Sequence, residues 1–169
     1  MNSAGPTTYG SPCRECGFDW FASRETIVAA VENMPGQLGD LLVSARGDER
    51  RDGLAWSVTE YVSHVADNLR IWAERLVGAR RGPSRLIGPY DQDDLARARN
   101  YPAIPLSAAL WSLDEGVRQW SVEIRRAFDE QTVLDHPEAG QLEPIDVLVM
   151  TAHDALHHVV DIRGILSAT

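Results

Sequence analysis

The sequence predicts an all-α protein: a four-helix bundle with an irregular N-terminal arm. Three observations predict it. Apolar residues recur at helical spacing through four long stretches. Capping residues and well-placed prolines mark where those stretches begin. No segment reads as a convincing strand, and the 169 residues suffice for a core without disulfide staples.

Residues 1–22 carry Gly, Pro, Ser and Thr, then Cys13-Arg-Glu-Cys16-Gly17-Phe-Asp-Trp20, and read as a loop or arm. The first helix is expected from about Arg24 to Ala45, kinked or split at Pro35-Gly36. A charged loop follows between Gly47 and Gly53. The second helix opens on Ser57-Val-Thr-Glu60, a capping box. Its apolar stripe runs through Val58, Val62, Val65, Leu69, Trp72 and Leu76, to about Arg80. Gly82-Pro83 and Gly88-Pro89 mark a long connection, with a short helix between Asp91 and Asn100. A connection of that length is long for an antiparallel hairpin and leaves room for a crossover, so the helix order stays open on spacing alone. The third helix covers Leu106 to Glu130, on a stripe of Leu113, Val117, Trp120 and Ile124. The fourth opens near Pro144 and ends about Leu166.

The formal charge is −9, and every basic residue is arginine. An acidic chain without a basic run is poorly matched to a phosphate backbone, so no nucleic-acid partner is expected. The lack of lysine removes Schiff-base chemistry. No apolar run reaches membrane-spanning length and the first residues do not resemble a secretory leader, so no membrane partner and a cytoplasmic location are expected. There is no Gly-rich phosphate loop and no serine nucleophile elbow.

One constellation can carry chemistry. His153 and His157 stand four apart on the fourth helix and share a face. His64, on the second helix, can meet them from across the bundle. Three imidazoles on two packed helices hold a divalent ion, zinc or nickel, and leave coordination positions open for water and substrate. Asp161, one turn after His157, and Glu60, one turn before His64, are candidates to orient the ring N–H groups. His158 is expected to pack, Asp154 to face solvent and His136 to be structural. Trp56, Tyr61, Asn68 and Trp111 are candidates to line the pocket. The pair is spaced like a zincin motif but Asp154 stands where that motif has Glu.

These residues resemble the DinB-like (YfiT-like) superfamily of metal-binding four-helix bundles. The likeness is carried by Trp56-Ser57-Val-Thr-Glu60-Tyr-Val-Ser-His64, by His136-Pro-Glu-Ala-Gly140 leading into Pro144-Ile-Asp146, and by His153-x-x-x-His157-His158. It implies an up-down-down-up order of the four helices and divides the chain into an arm, 1–22, and a bundle, 23–169. It implies a divalent metal on His64, His153 and His157. It also implies a thiol-dependent S-transferase or isomerase activity, in which the metal holds a low-molecular-weight thiol such as mycothiol, bacillithiol or glutathione as thiolate. The partners expected are a small-molecule substrate or thiol; a homodimer is left open.

Cys13-Arg-Glu-Cys16-Gly17 looks like half of a zinc ribbon, but there is no second cysteine pair. Three readings stay open: a reversible disulfide, a separate metal site completed by a histidine or a second subunit, or two thiols that pin the arm while Phe18, Trp20 and Phe21 pack on the bundle. The function expected is a metal-dependent thiol transferase. The alternative is a non-catalytic metal or small-ligand binding protein, redox-responsive through Cys13 and Cys16.

Overall fold

In a computed structural model, which describes residues 4–168, the chain forms six α-helices, one 3-10 turn and a small hairpin. Residues 1–3 and 169, the outer ends of the two expected segments, lie outside the described residues. The four long helices are α2 (Arg24–Leu41), α3 (Val58–Arg81), α5 (Leu106–Asp129) and α6 (Pro144–Leu166). The short ones are α1 (Ala4–Tyr9) in the arm and α4 (Gln92–Ala98) in the crossover, which the 3-10 turn Tyr101–Ala103 follows.

Helix starts follow their sequence signals. Ser57 accepts from the Glu60 N–H, and Glu60 returns its carboxylate to the Ser57 N–H, which completes the capping box of α3. Glu143 and Asp146 form the equivalent box on α6, where Pro144 takes a first-turn place. Asp91 caps α4. Pro35-Gly36 does not split α2: the helix runs through it and ends at Leu41, short of Ala45. Met34 and Leu38 flank the proline and are fully buried, and such packing holds a helix that propensity alone would break.

Side-chain pairs fix the helix directions. Arg24 stacks on Phe128 and Glu32 pairs with Arg125, so α2 and α5 are antiparallel. Ala66 lies against Gly116, and Arg80 pairs with Glu123 and Glu130, so α3 and α5 run parallel. Asn68 meets Asp154 and His64 meets His158, so α6 returns antiparallel to α3. The order is up-down-down-up. The parallel pair requires the crossover of residues 82–105, which is anchored on buried Asp67. That carboxylate accepts from Tyr101 Oη at 2.7 Å, Arg99 at 2.5 Å and Arg70 at 3.2 Å.

Two features depart from the expectation. Leu134–His136 and Gly140–Leu142 pair as antiparallel strands β1 and β2, and Leu86 bridges to Asp135. Three-residue strands are too short to show an alternation. The arm is not wholly irregular: α1 packs on Trp20, and Cys13, Phe18 and Trp20 are buried in the same core as the bundle. That core is filled by Leu69, Leu76, Leu113, Trp120, Ile124, Leu148 and Ile162, and Trp120 donates to Thr151 across it at 2.9 Å.

Candidate metal centres

Helix α6 carries two interleaved pairs, each four residues apart: His153 with His157, and Asp154 with His158. Consecutive residues on a helix diverge, so the pairs address different neighbours. Asp154 and His158 turn to α3. His153 and His157 turn to the arm.

Toward α3, a ligand atom from each of His64, Asp154 and His158 lies within 4.8 Å of the others. His64 Nε2 is 3.4 Å from Asp154 Oδ2, and His158 Nε2 is 3.6 Å from Asp154 Oδ1. His64 is 1% exposed, and neither of its ring nitrogens has a hydrogen-bond partner. Orphaned buried nitrogens are costly unless something else satisfies them, and a cation between the two rings and the carboxylate would take one of the two. His158 Nδ1 is held by Asp161 at 2.8 Å, which aims Nε2 inward. Asn68 donates to Asp154 at 2.5 Å, and Tyr90 donates to Asn68 at 3.0 Å. Burial disfavours charge on His158, but its bonds to Asp154 and Asp161 outweigh that and raise its pKa to about 9. Burial likewise opposes charge on Asp154, yet His158 and His64 hold its carboxyl well below the usual range. Burial and the nearby Asp154 push Tyr90 up to about 12.

Toward the arm, Cys13, Cys16, His153 and His157 present ligand atoms within 4.8 Å of one another. Cys13 Sγ is 4.0 Å from His157 Nδ1, and both cysteines are free thiols. His153 sits among Trp20, Tyr9 and Phe18, with ring centroids at 4.4, 4.8 and 5.4 Å. Burial first, and then the neighbouring His157, lower its pKa to about 4, so it is neutral near pH 7. Its Nε2 has no partner.

The three-histidine set expected from spacing is therefore not the set the fold assembles. His64 meets His158, at 5.0 Å between ring centroids, while His153 and His157 face the cysteines. The physical reason is rotation about α6: the residue after each histidine of the expected pair is the one that points at α3. Asp154 accordingly turns toward His64 and the cavity, with about a third of its side chain (32%) still exposed, and His158 is a ligand candidate rather than packing. Asp161 orients His158, not His157. Glu60 is engaged with the Ser57 N–H and with Arg50 and does not orient His64. Trp56 and Tyr61 back the site, with rings 4.8 Å from His64 and 5.0 Å from His158, whereas Trp111 is 69% exposed and stands away from it. His136 caps its own hairpin turn. An aspartate followed four residues later by a histidine is the signal that spacing offered and that the histidine pair obscured.

A cavity of about 590 Å³ opens over the α3-facing cluster. Asp154, His158 and Asp161 line it from α6, together with His153, His157, Val149 and Met150, and Gly5, Thr8, Tyr9 and Trp20 of the arm form a wall. Its size suits a small molecule.

A family model described as the DinB superfamily matches residues 21–162. The chain belongs to the DinB superfamily. A protein of Oceanobacillus iheyensis named "Putative metal-dependent hydrolase OB0782" is 23% identical over 141 residues, 80% of this chain and 81% of that protein. Among solved structures, YfiT from Bacillus subtilis, described as "a probable metal-dependent hydrolase with an unusual four-helix bundle topology", superposes with a TM-score of 0.73 at 20% identity over 86% of each chain. The DinB fold is thus shared across a wide sequence distance. Among the described residues of this DinB chain, no helix is long and apolar enough to cross a membrane.

Proposed function

We propose that this DinB chain is a metal-dependent enzyme that binds a divalent cation, zinc or nickel, on His64, Asp154 and His158 and activates a small nucleophile at the floor of the cavity. The observation that carries this reading is the buried, unpartnered His64 beside an Asp154–His158 pair that opens to that cavity. Two imidazoles and a carboxylate are the donor set of a site that keeps a position free for chemistry. A cation held there supplies Lewis-acid activation of water or of a thiol.

The remaining residues position and enclose. Asp161 fixes the tautomer of His158, and Tyr90 and Asn68 fix the carboxylate of Asp154. Trp20, Val149 and Met150 give the cavity apolar walls that exclude bulk water from a bound substrate. The lining carries Asp154 and Asp161 and no arginine, which favours a neutral electrophile over an anionic one. With water as nucleophile the reaction is hydrolysis, the activity named for the two relatives. With a low-molecular-weight thiol such as mycothiol it is S-transfer, the activity the resemblance implies.

The test is turnover of two panels by zinc- and nickel-loaded protein: neutral esters, amides and lactones in water, and chlorinated aromatics with added thiol. Turnover in either panel that is lost in both His158→Ala and Asp154→Asn, with helical content unchanged, is the expected result. Turnover that survives both substitutions overturns the assignment. Metal on the three residues with no turnover in either panel favours the binding-protein reading.

A further inference from the structure

We propose that Cys13, Cys16, His153 and His157 form a second metal site, a closed structural zinc centre that clamps the N-terminal arm onto α6 and so builds one wall of the cavity.

The arm is folded to present its thiols. Gly17 N–H donates to Cys13 O at 2.8 Å and Cys13 N–H to Phe18 O at 2.9 Å, so the chain turns tightly around Cys13–Cys16. Gly17 closes the turn at φ +74°, a left-handed conformation that favours glycine. This turn brings the two sulfurs to one side, facing the two imidazoles that helical spacing sets one turn apart on α6. Two thiolates and two imidazoles are a donor set that tetrahedral zinc takes in structural sites. In such a site a sulfur and a nitrogen ligand stand ~3.6 Å apart, from zinc distances of about 2.3 and 2.0–2.1 Å. The 4.0 Å between Cys13 Sγ and His157 Nδ1 needs only a small contraction.

Two further observations point to a cation. His153 Nε2 is buried inside an aromatic box and has no hydrogen-bond partner among the described residues. His157 Nε2, the nitrogen opposite the sulfur-facing one, lies 3.1 Å from Glu15 Oε2. Ligating histidines are oriented in this way, one nitrogen on the metal and the other donating to a carboxylate. Glu15 stands between the two cysteines, so one turn supplies both the thiolates and that orienting group.

The consequence reaches the cavity. Tyr9 and Trp20, which wall it, sit on either side of the cysteine turn, and Trp20 is tied to Gly10 O at 2.8 Å. A metal that joins the turn to His153 and His157 fixes that wall beside Asp154 and His158. Four protein ligands leave no position for substrate, so the site acts through structure.

Cobalt(II) substitution of the full-length protein tests this without a variant. A Cys2His2 centre gives a sulfur-to-cobalt charge-transfer band in the near ultraviolet and intense tetrahedral bands in the visible. The proposal expects both, and expects Cys13→Ser/Cys16→Ser to lose them while His64→Ala keeps them. Limited trypsin digestion gives an independent readout, since Arg14 lies inside the turn. Cleavage after Arg14 should be slow in the metal-loaded protein and fast after chelation, with the bundle intact. Absence of the charge-transfer band, or a Cys13–Cys16 disulfide in anaerobically purified protein, overturns the proposal. Failure of the three-residue site would remove turnover but leave the cobalt–sulfur band, so the two assignments fail separately.

Discussion

His157 and His158 are neighbours in sequence, yet their rings stand 6.1 Å apart at 89° to each other and belong to different clusters. His158 faces His64 and Asp154; His157 faces Cys13 and Glu15. One turn and a half of α6 thus presents two clusters of different donors, one toward α3 and one toward the arm, side by side along the same cavity.

Asp161 acts on only one of them. Its bond to His158 Nδ1 fixes that ring, so Asp161→Ala should weaken metal at the three-residue site by about 10–100-fold, the usual effect of losing such a partner. Competition with a chelator measures it. The cobalt–sulfur band should be unchanged; its loss would show that the sites are not separate.

The metal-free protein should be most stable near pH 6.5. The folded pKa of His158 is raised from 6.5 to about 9 by Asp154 and Asp161 despite its burial, and His64, His157 and Tyr61 are its other titratable neighbours. Its stabilisation is therefore fully present below pH 6.5 and is lost as pH rises through about 9. His153 has the opposite sign. Burial and His157 lower its pKa from 6.5 to about 4, so the unfolded chain binds its proton first and stability falls between those values. Urea midpoints of chelated protein across pH 4–10 check the shape. A monotonic rise toward pH 10 would contradict it.

Gly116 is where α5 touches α3. A Cβ there would stand 2.8 Å from the Ala66 carbonyl oxygen, which is backbone and cannot rotate away. Glycine to alanine inside a helix ordinarily stabilises by about 0.5–1 kcal/mol. Here the sign should reverse, with Gly116→Ala destabilising by about 1–3 kcal/mol through overpacking. Chemical denaturation decides it.

Asp67 ties the crossover to the bundle. It is buried and paired with Arg70, Arg99 and Tyr101, so Asp67→Ala leaves the fully buried Tyr101 hydroxyl without its acceptor, while the two arginines are exposed enough to turn to water. A loss of about 1–3 kcal/mol is expected, the cost of leaving that buried hydroxyl unsatisfied. Hydrogen exchange should show the loss as faster opening of residues 91–104 in particular.

Much of the fold was legible in the sequence because its signals are local. Ser57 and Glu60 announce the start of α3, Pro144 that of α6, and the apolar stripes of α3 and α5 run at helical spacing. The hairpin was hidden because its strands are three residues long. The site was half legible. Spacing put His153 and His157 on one face, but not which way α6 is turned, and that rotation is set by packing between helices far apart in sequence. His158 and Asp154 consequently looked peripheral. Cys13 and Cys16 looked incomplete because their two remaining partners lie about 140 residues downstream, as His157 does at a separation of 144.

The most direct test of the central claim is the metal content of three purified proteins by elemental analysis: wild type, His158→Ala and Cys13→Ser/Cys16→Ser. Two interleaved sites predict two equivalents in the wild type and one in each variant, with the metal retained in His158→Ala bound through sulfur. A single equivalent that disappears on His153→Ala but survives both of the other variants would contradict it, and would place the metal on the histidine pair that sequence spacing suggested.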